Sequence, residues 1–86
     1  MSEEVIEQIR RRLQDALAPS ALDILDEGHR HIGHAGEGQG HYRVRIASRA
    51  FAGKTPIQRH RLVYDAVDDL MGHGIHALAI EAEVEK

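Results

Sequence analysis

Histidine is the residue type through which this chain could do chemistry. It has seven histidines and no cysteine. That rules out disulfides, a thiol nucleophile and any metal site built on the chain's own sulfur. His29, His31 and His34 lie in segment 27–40, which also holds five of the eight glycines, and His41 stands at its edge. Neutral imidazole is the commonest side-chain metal ligand and suits zinc, copper and iron. A glycine-rich segment can fold around an ion or a partner without steric cost. The histidine spacings match no closed zinc site, and H-E-x-x-H is absent, so a dedicated structural zinc is not expected. Neither is an enzyme: there is no P-loop, no G-x-G-x-x-G after a strand and no G-x-S-x-G, and Ser48 and Thr55 lack an evident base and orienting group.

Charge singles out a second set of residues. The formal net charge is -3, yet no acidic residue occurs from position 41 to 61, where Arg43, Arg45, Arg49, Lys54, Arg59 and Arg61 are all basic. Such a stripe reads either as a solvated surface or as a face for nucleic acid or another partner. Arg59-His60-Arg61 falls in the first turns of a predicted helix, where positive charge opposes the dipole. Arg61 and Asp65 are spaced for a helical ion pair. Aromatic residues make up 3% and tryptophan is absent, which leaves little for a base-stacking platform. Gly33-His34-Ala35-Gly36 is formally a G-x-x-G, but it lies between two strands rather than two helices.

The elements that must hold these residues follow from periodicity. Ser2 reads as an N-cap followed by Glu3 and Glu4. Val5, Ile9, Leu13 and Leu17 then form one helical stripe that Pro19 ends. Positions 21–26 read as a short strand, and 27–40 as a loop longer than a hairpin needs. Tyr42, Val44 and Ile46 alternate with Arg43 and Arg45 in a second strand, with Phe51 and Gly53 in the turn beyond. Thr55-Pro56 starts a second helix, whose buried side is predicted as Ile57, Val63, Tyr64, Val67, Leu70 and Met71, with Gly72 closing it. Positions 75–84 read as a third strand with Leu78, Ile80, Ala82 and Val84 on one side.

Topology then gathers the histidines. The first two strands are expected antiparallel, while the second strand, second helix and third strand form a parallel β-α-β unit with a right-handed crossover. The third strand therefore begins at the edge that carries the long loop. This places His76 beside His29, His31, His34 and His41. Two readings of His76 stay open at this point: part of a site at that rim, or a half-buried core histidine sharing parity with Leu78 and Ile80.

A length of 86 residues predicts one α/β domain, 1–86, with a modest core. The acidic start leads into no apolar run, and no stretch approaches a membrane span, so a cytoplasmic protein is expected.

Several segments together resemble the BolA family. They are Asp26-Glu27, the histidine-bearing loop, His41-Tyr42-Arg43-Val44, Phe51-x-Gly53-Lys54, Gln58-Arg59-His60-Arg61-Leu62-Val63-Tyr64 and Ile75-His76-Ala77-Leu78-Ala79-Ile80. The resemblance runs over nearly the whole chain, in order. It implies an α+β, class II KH-like fold: helix, strand, strand, helix, strand, with a three-stranded mixed sheet and the helices packed on one face. It also implies a monothiol glutaredoxin partner and a [2Fe-2S] cluster shared with the glutaredoxin cysteine and glutathione, serving iron–sulfur trafficking or iron regulation. The family's ligands carry over to His76 and to one loop histidine, His31 by counting from Asp26-Glu27, with His34 as the alternative. Without cysteine, both ligands from this chain must be imidazoles. The free chain is expected as a monomer or weak homodimer that holds no cluster alone. The family also includes transcriptional regulators, which makes DNA a second expected partner, met through Arg43, Lys54, Arg59 and Arg61. A third expectation is a metal-free adaptor that docks on glutaredoxin.

Overall fold

The computed structural model describes residues 2–27 and 40–85. Histidines 29, 31 and 34 and the G-x-x-G at 33–36 lie outside them.

The first helix, α1 (Ser2–Leu17), carries Glu3 and Glu4 in its first turn and buries Ile9, Leu13 and Leu17 at four-residue spacing. It stops at Leu17, two residues before Pro19, and the intervening Ala18 takes the left-handed conformation (φ 43°) that often ends a helix. The last carbonyl of α1 is satisfied from elsewhere: the fully buried Ser48 donates its hydroxyl to Leu17 O at 2.6 Å.

Three strands follow the expected alternation: β1 (Ala21–Asp26), β2 (His41–Ser48) and β3 (Ala77–Val84). The sheet order is β1-β2-β3. β1 and β2 run antiparallel with Ala21 opposite Ala47, and β2 and β3 run parallel with His41 opposite Ala77. Alternate residues of the central strand, Tyr42, Val44, Ile46 and Ser48, are buried on one face, where they meet Ile9 and Leu13 of α1. Among the described residues, no helix covers the other face of the sheet.

Between β2 and β3 the structure departs from expectation at both ends of the second helix. Phe51 lies in a turn as expected, a 3-10 turn (Arg49–Phe51) in which it is fully buried, and Ser48 Oγ caps that turn by accepting from Ala50 N at 3.0 Å. The second helix, α2 (Pro56–Ala66), starts as expected with a Thr55–Gln58 capping box but ends at Val67. A 3-10 turn (Asp68–Leu70) takes over there, so Gly72 does not close the helix. Val67 and Leu70 are still buried, which is why their spacing imitates a longer helix. Ile57, expected inside, is 71% exposed, and Tyr64 is 39% exposed. At 3.6 residues per turn, Ile57 lies about 120° round the helix from buried Val63, whereas Arg59 lies only about 40° away. Arg59 accordingly reaches β3, donating to Ala82 O at 3.4 Å and to Lys54 O at 3.0 Å, and Tyr64 OH donates to Leu78 O at 3.0 Å. Both contacts fall on a marginal strand of the sheet.

Candidate functional site

The rim where β2 and β3 begin is built around Gly40. Its φ is +74°, and an added Cβ would stand 2.8 Å from Gly74 O, 3.0 Å from His76 N and 3.2 Å from His76 Cβ. No side chain fits there. The close approach lets Gly40 O accept from both His76 N (2.8 Å) and Ala77 N (3.2 Å). Glu27 is fastened too, because its N donates to His41 O at 2.8 Å. Glu27 and Gly40, the residues that flank segment 28–39, are therefore both tied to the rim at which His76 sits.

His76 itself lies just before β3, not within it, and is exposed. Alternation breaks at this point. Ile75 is buried and bridged to Met71, while His76 and Ala77 both face outward. The half-buried core reading of His76 is thus corrected: the bend beside Gly40 turns its side chain away from Leu78. Its ring stacks with that of His41, centroids 6.1 Å apart and planes 20° apart. His41 and His76 are the two histidines the described structure brings together. His60 is on α2, and His73 is exposed in the turn near Asp69. Among the described residues, no group of three or more His, Cys, Asp or Glu is placed to hold a metal ion.

The basic residues do not form one surface. Arg43 and Arg45 project from β2 on the face away from the helices, where acidic groups meet them. Arg43 donates to Glu27 at 3.1 Å and Glu81 at 3.2 Å, and Arg45 donates to Glu81 at 3.1 Å. Hydrogen bonds from Arg45 and Arg43 hold the Glu81 carboxyl below the usual range, and those to Glu27 and Glu81 raise Arg43. Arg49 pairs with Glu85 at 2.6 Å. Lys54, Arg59 and Arg61 belong to the start of α2, which packs on the opposite side of the sheet. Arg59 is engaged by backbone carbonyls. The expected Arg61–Asp65 pair does not form: among the described residues Lys54 and Arg61 make no ion pair.

The sequence reading missed Gly40, Glu27 and Glu81. A signal existed for Glu81, since β3 places it outward in register with Arg45. Gly40 offered none, because its contacts join backbones far apart in the chain.

The fold and rim define a class: two helices on one face of a three-stranded mixed sheet, with a histidine just before the crossover strand, beside the residues that flank segment 28–39. Comparison with known proteins identifies that class. The family described as BolA-like protein matches residues 13–86, and the chain belongs to this family. It is 41% identical over 75 residues to mouse BolA-like protein 1, covering 87% of this chain and 54% of that protein. It is 38% identical over 80 residues to the DNA-binding transcriptional regulator BolA of Vibrio cholerae, covering 93% and 72% respectively. The solved BolA domain of SufE1 from Arabidopsis thaliana superposes with a TM-score of 0.80 at 41% identity, covering 91% of this chain and 88% of that one. The α+β arrangement expected from the sequence is that of these BolA domains. The chain spans about half the length of the mouse and human BolA-like proteins, 54% and 53%, and 22% of the Arabidopsis SufE-like protein 1.

Proposed function

We propose that this chain is a non-enzymatic cytoplasmic partner of monothiol glutaredoxins and completes the ligand set of a shared [2Fe-2S] cluster through His76 and a loop histidine, His31 or His34. The observation that carries the reading is the position of His76. Its imidazole is exposed at the rim to which Glu27 and Gly40, the residues that flank segment 28–39, are both tied.

The donor chemistry fits a shared site. With no cysteine, the chain offers imidazoles only. Two imidazoles fill half of the four terminal positions on two irons, so the glutaredoxin cysteine and glutathione supply the rest. Imidazole ligation on one iron would raise the cluster's potential relative to all-thiolate ligation. The chain's own part is positional: the Gly40 carbonyl accepts from His76 N and from Ala77 N, and Gly40 directly follows segment 28–39, whose sequence carries the other candidate imidazoles.

The test is anaerobic mixing of the chain with a monothiol glutaredoxin, glutathione, iron and sulfide, followed by visible absorption and circular dichroism. A cluster spectrum is expected that His76→Ala removes while His60→Ala leaves it unchanged. A spectrum identical with and without His76, or a stoichiometric cluster on the chain alone, overturns the reading.

A second reading is DNA binding, favoured by the Vibrio relative's description and by Lys54 and Arg61, before and within the first turns of α2, which make no ion pair among the described residues. With Arg43 and Arg59 already engaged, Lys54 and Arg61 would carry the phosphate contacts. Removing either should lower the slope of log K against log salt by about one unit.

A further inference from the structure

His41 is the first residue of β2, so its backbone is fixed by the sheet: it stands opposite Ala77, and its carbonyl accepts from Glu27 N. His76 is different. Its backbone is held by Gly40, but its exposed side chain stands outside the strand with no hydrogen bond to the described residues. The imidazole it stacks on is that of His41.

The His41 ring can restrict its neighbour: the centroids are 6.1 Å apart and the planes 20° apart, within the range of about 4.5–7 Å over which aromatic rings attract. A ring already confined loses less freedom when it binds.

We propose that His41 is a positioning residue for His76: the stacked His41 ring, rooted in β2, holds the exposed His76 imidazole in the orientation from which it meets a metal centre. The inference rests on His76 being a ligand, as proposed above.

The test compares His41→Ala and His41→Phe in two settings, after amide spectra and thermal melting show each variant folded. Phenylalanine keeps the stack and has no nitrogen. In the free chain, three-bond couplings and ring-to-ring nuclear Overhauser contacts should give one His76 rotamer in the parent and in His41→Phe, and averaged rotamers in His41→Ala. In the cluster-loaded complex with glutaredoxin and glutathione, the visible circular dichroism should decay about two- to tenfold faster for His41→Ala, the range an aromatic contact supplies, and at the parent rate for His41→Phe. If His41→Phe loses the cluster spectrum as completely as His76→Ala, His41 is a ligand and the inference is wrong. If His76→Ala removes the spectrum while His41→Ala changes neither rotamers nor decay, the inference fails and the ligand reading stands. A spectrum indifferent to His76→Ala overturns both.

Discussion

Gly40 sets the geometry of the rim more strictly than any histidine does. An alanine there would meet Gly74 O at 2.8 Å from a backbone with φ +74°, and its methyl would press on His76 Cβ. Gly53 has nearly the same φ, +73°, with nothing within 4 Å. The pair separates clash from backbone strain. Gly53→Ala should cost about 1 kcal/mol of unfolding free energy in urea, the usual penalty for a left-handed alanine. Gly40→Ala should cost clearly more and also shift the amide resonances of His76 and Ala77. Equal costs would mean that the contact with His76 is not tight. The two histidines show what a sequence makes legible at this scale. His76 could be placed at the loop's rim because strand direction follows from connection type. Its exposure could not, because strand parity extrapolated backward from Leu78 ignores the bend that Gly40 imposes.

Ser48 joins three elements at one point. Its hydroxyl donates to the last carbonyl of α1 and accepts from the first turn after β2, inside the core. Ser48→Ala leaves Leu17 O buried without that donor and removes the cap of the Arg49–Phe51 turn. Denaturant unfolding should register a loss of about 1–3 kcal/mol, the cost of an unsatisfied buried group, with little change in the slope against denaturant. A loss under half a kilocalorie would show that water or a backbone shift replaces the hydroxyl. Element boundaries were legible where punctuation is chemical. Thr55-Pro56 marks the start of α2, and 21–26 stands between Pro19 and the glycines. They were not legible at the end of α2, because Val67 and Leu70 keep apolar spacing through a change from α-helix to 3-10 turn. Ile57 was misplaced because one apolar residue at a helix start has no neighbours to fix its phase.

Across the whole molecule, the acidic and basic segments meet. Carboxyl groups of Asp69, Glu81 and Glu85 are held below their ordinary range, first by hydrogen bonds from Arg12, Arg45 and Ser20 respectively. A carboxyl depressed in the folded state contributes stability above its unfolded pKa, and that contribution is lost as pH falls through the folded value. Melting temperature should therefore hold from neutrality down to about pH 5 and fall below it. Glu81→Gln should flatten that acid limb, and an unchanged limb would exclude the Arg43–Glu81–Arg45 network as a source. The fold class was legible because helix and strand periods plus the crossover rule leave few topologies. The basic stripe misled because a run of like charge in sequence alternates between two faces once it enters a strand and a helix. One consequence reaches beyond the site. β3 lies at the margin of the sheet, where bare peptide groups invite a strand from a second molecule. Tyr64 and Arg59 occupy the carbonyls of Leu78 and Ala82. Tyr64 and Arg59 thus leave fewer bare carbonyls on that edge, and a variant made to weaken DNA contact at Arg59 would also open it.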